Sequence, residues 1–234
     1  MISIKNKYSL LFILSVFVFQ AAIILYPGWR EDDAAFFLIR LKYNLFGNAL
    51  DRFSFENPFI LTSGLKSPVY VDCRKIISHL KERRLIINMG SKLIKKKMNL
   101  KKIDYIAGGE TAGIPYASWL SEKLNKPMIY IRKKPKGFGK LSQIEGEIKN
   151  KSRILLIEDL STDGKSKINF CNAIKKAGGK IKDIFVIFNY DIYPNTIFKR
   201  NNLELHFLTN WKFVIKNLKK KKSLKNEEIL EIEK

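Results

Sequence analysis

Cysteine and histidine are scarce in this 234-residue chain, at two each. Cys73 and Cys171 lie far apart with no Cys-x-x-Cys spacing, and His79 and His206 do not complete a ligand set, so no zinc cluster is legible. A disulfide-stapled scaffold is excluded on the same count, and a reducing compartment is expected. Glycine (13) and proline (7) are too few for a collagen-like chain, and 46% hydrophobic residues exclude a disordered one. Acidic residues are few as well: 22 stand against 44 lysines and arginines, for a formal charge of +22. Such a field recruits polyanions of any kind. The excess is spread through Ile- and Asn-rich stretches, as at Lys95-Lys96-Lys97, and reads as solvated faces rather than a patch for a specific nucleic acid. A phosphate-rich small substrate suits the same surface.

What is present begins with a run without formal charge at residues 9–26, which follows Lys5 and Lys7, ends at Pro27-Gly28 and is roughly long enough to cross a bilayer. A secretory signal has a shorter apolar core and a small-residue cleavage site. A membrane anchor, an uncleaved signal and a translated upstream extension are all compatible with it, the extension being preferred, and membrane contact through residues 9–26 is left undecided. A chain starting at Glu31 is expected to be soluble and active. The remainder divides into a domain over residues 31–216 and a charged tail over 217–234, with a cytoplasmic location expected and a cytoplasm-facing anchor as its alternative.

Within the domain, short apolar runs alternate with amphipathic stretches, the pattern of an α/β fold with a mainly parallel central sheet flanked by helices. Helices are expected over residues 32–50, 81–97, 114–124 and 166–177. Strands are expected over residues 60–62, 69–71, 105–107, 128–131, 154–157, 184–188 and 205–208, with one long polar loop at 132–147.

Chemistry concentrates at strand ends. In the run from Ile154 to Ser166, two adjacent carboxylates, Glu158 and Asp159, close a buried strand and are expected to face a ligand together. The small, polar segment Ser161-Thr162-Asp163-Gly164-Lys165-Ser166 then opens a helix. Backbone N–H groups at a helix start bind phosphate, and nearby carboxylates accept hydrogen bonds from ribose hydroxyls or face a bound metal, so a phosphorylated sugar fits. A strand ending in a solvated turn is the plainer alternative. Gly108-Gly109-Glu110-Thr111-Ala112-Gly113-Ile114-Pro115 is a second strand-to-helix passage whose small residues let the backbone approach another anionic group. The loop Arg132-Lys133-Lys134-Pro135-Lys136-Gly137-Phe138-Gly139-Lys140 joins cations to glycines in the manner of a lid. Leu61-Thr62-Ser63-Gly64-Leu65-Lys66-Ser67-Pro68 is a further polar turn.

Together these four segments resemble the type I phosphoribosyltransferases, and within them the orotate-using branch, over residues 32–215. IEDLSTDGKS resembles the family's donor motif of two acids and a Thr- and Gly-containing loop. LTSGLKSPVYVDCRK, and RKKPKGFG with QIEGE downstream, are similar to the features that select orotate. The resemblance implies a small N-terminal hood beside the sheet, 5-phosphoribosyl 1-diphosphate and orotate as substrates, Mg²⁺ bound mainly through the donor diphosphate, and a homodimer with shared active sites. It assigns Glu158 and Asp159 to the ribose hydroxyls and the residues from Ser161 through Ser166 to the 5′-phosphate. Glu110, Thr111, Ala112 and Gly113 fall to the diphosphate. Arg132, Lys133 and Lys136 meet that diphosphate when the loop closes, in a neighbouring subunit's site, and Tyr70 and Val71 lie where the pyrimidine packs. Four positions depart from the family's pattern: Phe138 replaces a loop histidine, Thr62 and Ala112 replace lysines, and Tyr190 replaces an arginine near the base. Lys66, Arg74 and Lys75 are candidate substitutes. Two rival readings follow, a phosphoribosyltransferase for another base and a non-catalytic, donor-binding regulator that grips nucleic acid.

Overall fold

The computed structural model describes residues 70–135, 143–192 and 196–220, with short pieces at 50–51, 59–60, 64, 66–67 and 227. Its centre is a six-stranded sheet in the order β10-β9-β8-β5-β6-β7, comprising β5 (Tyr105–Gly109), β6 (Met128–Ile131), β7 (Ile144–Glu145), β8 (Arg153–Ser161), β9 (Lys180–Asn189) and β10 (Glu204–Asn210). The strands pair in parallel except β7, which runs antiparallel to β6 at the edge. Two small antiparallel pairs precede the sheet, β1 (Leu50–Asp51) with β4 (Tyr70–Val71), and β2 (Phe59–Ile60) with β3 (Lys66–Ser67).

A parallel sheet is covered on both faces, so its strands read as unbroken apolar runs. Ile154, Leu155, Leu156 and Ile157 are each no more than 3% exposed. On one face lie α1 (Leu80–Lys97), α2 (Gly113–Leu124) and α5 (Trp211–Lys220), whose Ile86, Ile94, Tyr116, Leu120 and Val214 join Leu155, Ile157 and Phe185 in a single core. On the other lie α3 (Lys165–Lys176) and α4 (Thr196–Arg200), whose Phe170, Cys171, Ile174 and Phe198 pack with Ile154, Leu156 and Ile184. Both cysteines are free and buried, one in each core.

The α/β architecture and most of the expected elements are present, and three of the differences bear on the site and the domain boundary. β8 continues four residues beyond the expected Ile157, because Glu158, Leu160 and Ser161 keep pairing with Val186, Phe188 and Asn189. The expected loop at 132–147 contains β7, held by Tyr130 opposite Glu145 and Ile131 opposite Ile144. α5 runs from Trp211 to Lys220, so a helix crosses the expected boundary between domain and tail at residues 216 and 217. The expected helix at 32–50, except for Leu50 itself in β1, and the apolar run at 9–26 lie outside the described residues. Among the described residues, no helix is long and apolar enough to cross a membrane.

Successive strands are added on opposite sides of the β5–β8 pair, since β6 follows β5 on one side while β9 follows β8 on the other. The crevice at the carboxyl ends of β5 and β8 is therefore the topological switch point, where ligands bind in open α/β sheets.

Candidate active site

Both glycine- and acid-bearing passages meet at that crevice. Residues Gly109 to Gly113 leave β5 for α2, and Glu158 to Lys165 leave β8 for α3. Glu158 and Asp159 both belong to β8, near its carboxyl end. Glu158 turns into the space between β8, α3 and the glycine passage, where it is 5% exposed, and Oε2 lies 3.2 Å from the Lys167 ammonium. Oε1 is buried with no hydrogen-bond partner among the described residues. Burial, opposed by Lys167 and reinforced by Asp159, pushes the Glu158 carboxyl up to about 7. Asp159 is half-buried and its carboxyl is also raised by burial, against the pull of Lys167, of its own and the Leu160 backbone N–H, and of Arg74.

The Glu158 carboxylate can lie there because glycine lines it. A Cβ on Gly113 would overlap Glu158 Oε1 and stand 2.6 Å from the Ile157 carbonyl oxygen; one on Gly109 would meet Glu158 Oε1 and the Phe170 ring. Gly113→Ala is therefore expected to destabilise the fold by roughly 1–3 kcal/mol, the cost of overpacking a tight site, and to lose donor binding, as thermal denaturation with and without donor would report.

In the following turn, Gly164 takes a left-handed φ of +78° at the start of α3, where a Cβ would come within 2.6 Å of the Phe198 ring. Just before α3, Asp163 Oδ1 accepts the Lys165 backbone N–H at 3.1 Å, an i to i+2 turn bond. Ser161, expected in the phosphate cradle, instead ends β8 fully buried, and its carbonyl accepts the Tyr190 N–H. Of the other residues expected in that cradle, Thr162 and Asp163 are half-buried, Gly164 is buried, and Lys165 and Ser166 are exposed.

The described start of the loop expected to be a lid is tied to this centre. Glu110 Oε2 accepts the Lys133 backbone N–H at 2.7 Å, and the Glu110 N–H donates to the Ile131 carbonyl at 2.8 Å. Arg132 donates its N–H to the Gln143 carbonyl, while the Gln143 side-chain amide donates back to the Arg132 carbonyl at 2.8 Å. Glu145 lies 3.7 Å from the Arg132 guanidinium. Thr111 is exposed and Ala112 half-buried at the start of α2. Lys136 and Phe138 lie outside the described residues, as does Thr62.

On the base side, Tyr70 and Val71 form β4. Val71 donates its N–H to the Tyr190 hydroxyl at 3.0 Å, and Tyr116 donates its hydroxyl proton to the Cys73 carbonyl at 2.6 Å. Tyr190, where the family's pattern has an arginine, thus braces the strand expected to pack the pyrimidine. Of the candidate cations, Arg74 is engaged by Asp72 at 2.6 Å and Lys66 is exposed on the separate β2–β3 pair. The pairing of Lys167 with Glu158 and the bond of Tyr190 to Val71 are two contacts that the motifs did not point to.

No family model matches the chain. It is 42% identical over 183 residues to the orotate phosphoribosyltransferase of Rhizobium rhizogenes, covering 77% of this chain and 79% of that one. It is 45% identical over 161 residues to the orotate phosphoribosyltransferase of Dinoroseobacter shibae, covering 68% and 71%. Among solved structures, the orotate phosphoribosyltransferase of Aeropyrum pernix superposes with a TM-score of 0.65 at 24% identity, over 79% of this chain and 99% of that one, a likeness of fold. With such identity spread over more than two thirds of both sequences and the donor motif seated at the switch point of the sheet, the chain belongs to the orotate phosphoribosyltransferase family.

Proposed function

We propose that this chain transfers the 5-phosphoribosyl group of 5-phosphoribosyl 1-diphosphate to N1 of orotate, giving orotidine 5′-monophosphate and diphosphate in the synthesis of UMP. The observation that carries this reading is the meeting of Gly109–Gly113 with Glu158–Ser166 at the carboxyl ends of β5 and β8, in a chain 42% identical to a relative of that name. In the reaction, a bond forms from orotate N1 to the anomeric carbon as the bond to diphosphate breaks. Positive charge then develops on the sugar and negative charge on the leaving group, so carboxylates serve at the ribose and cations at the diphosphate. Asp159 and Glu158 take the first role. Thr162, Asp163, Gly164, Lys165 and Ser166 hold the 5′-phosphate. The backbone from Glu110 to Gly113, with Arg132, Lys133 and Lys136, takes the diphosphate, and Tyr70 and Val71 flank the base. A lid excludes water, since hydrolysis of the donor is the side reaction to suppress.

Mg²⁺ fits this site through the diphosphate rather than through a protein cage. Among the described residues, the three metal-ligating side chains that converge, Asp183, Glu204 and His206, lie at the amino ends of β9 and β10, remote from the crevice. When bound, the ion supplies Lewis-acid stabilisation of the leaving group. A homodimer with shared sites and a cytoplasmic location complete the reading.

Incubating the purified chain with orotate, donor and Mg²⁺ while following loss of orotate absorbance tests it. Turnover of another base but not of orotate replaces the acceptor; no turnover of any base overturns the enzyme. The raised Glu158 carboxyl adds a pH signature. Above pH 7 it is ionised; as pH falls through about 7 it takes a proton and the sugar loses an anionic partner. The kcat/KM for donor is expected to fall about tenfold per unit below that point, and Glu158→Gln to flatten this limb at a lower level.

A further inference from the structure

Lys167 is the one buried lysine or arginine among the described residues. Its ammonium lies 3.2 Å from Glu158 Oε2 and donates to Ser166 Oγ, also at 3.2 Å. The side chains of Lys167 and Glu158 are each 7% exposed. Neither charge could be held there alone, because an unpaired ion in a dry interior is costly, so each fixes the other. One oxygen of Glu158 is thereby committed, and the other, Oε1, is held against the backbone of Gly109 and Gly113 without a hydrogen-bond partner among the described residues. That free acceptor sits between the two passages read as holding the donor.

We propose that Lys167 is a positioning residue for the donor sugar: it orients Glu158 with its unpartnered oxygen toward the glycine passage and ties that carboxylate to the Ser166 hydroxyl in the phosphate-binding turn. Ribose and 5′-phosphate are then located by one rigid unit rather than by two independent loops. The inference rests on the phosphoribosyl-transfer reading. It also separates Lys167 from the exposed cations of the site, since its charge is neutralised by Glu158 and is not offered to phosphate.

The test uses the full chain with Lys167→Met and Lys167→Arg, reading donor binding by calorimetry without orotate, and steady-state kinetics with each substrate varied. In folded Lys167→Met, the donor Kd and KM should rise at least tenfold while the KM for orotate changes less than twofold, and Lys167→Arg should recover most of the loss. Glu158→Gln should add less than twofold to Lys167→Met, whereas Asp159→Asn should still add its full effect. If the methionine variant does not fold, Lys167→Gln, which keeps a donor without the charge, supplies the same comparison. A folded variant whose donor Kd stays within twofold of wild type overturns the inference, as does full additivity with Glu158→Gln. Wild type that fails to bind 5-phosphoribosyl 1-diphosphate overturns the functional reading instead, so the two failures are distinct.

Discussion

Asp159→Asn combined with Glu158→Gln is expected to lower kcat/KM by about 10²–10³-fold, the scale seen when a group that stabilises transition-state charge is removed, while unfolding stays cooperative. Both substitutions keep volume and remove charge. The core of β8 from Ile154 to Ile157 and its pairing with β5 and β9 are untouched. The two singles should differ. Glu158 is half of a buried pair, and cutting such a pair outright costs about 3–5 kcal/mol; the Gln amide oxygen still accepts from Lys167, so the melting temperature should fall by less than that cost implies. Asp159 is joined to no described lysine or arginine by a salt bridge and is more exposed than Glu158. Asp159→Asn should therefore carry the larger share of the lost activity with the smaller change in stability. Near-wild-type turnover of orotate by the double variant would show that the donor site lies elsewhere.

Lys136→Ala should be nearly as damaging, by removal of a cation from the departing diphosphate. Its place between Pro135 and Gly137 in a cationic loop motivates the proposal that it acts on the neighbouring subunit. Mixing this inactive variant with the inactive Glu158/Asp159 double variant then gives mixed dimers in which one site has both intact acids and an intact lysine. Random exchange makes half the dimers mixed, each with one good site of two, so about a quarter of wild-type activity should return. Proven exchange without recovery would mean that each loop serves its own subunit.

Much of this was legible because it is local. The run Ile154-Leu155-Leu156-Ile157 followed by Asp163-Gly164 and an amphipathic stretch can be little other than strand, turn and helix. The strand's true end was not, because Glu158 to Ser161 are held in β8 by partners in β9. β7 escaped for the same reason, being two residues fixed by β6. Lys167 did leave a signal: it occupies the first place of the buried stripe Lys167, Phe170, Cys171, Ile174, where the spacing of an apolar helix face leaves a lysine to be explained. So did α5, since Asn210 Oδ1 accepts the Phe213 N–H in the manner of an N-cap. The bond between Tyr190 and Val71 spans 119 positions, and no local pattern foretells it.

The Gln143 clamp on Arg132 also acts as a ruler. It fastens two points eleven positions apart in the chain. Fully extended polypeptide spans at most ~3.3–3.6 Å per residue, so the Cα of Lys136 can stand no farther than about 14 Å from that of Arg132. Whichever subunit's diphosphate it touches must come within that radius plus the length of one lysine side chain. An assembly that holds the partner's crevice beyond this reach would have two self-sufficient centres, and a distance measured between spin labels at an Arg132 and the Thr162 of its partner would separate the two arrangements without any turnover at all.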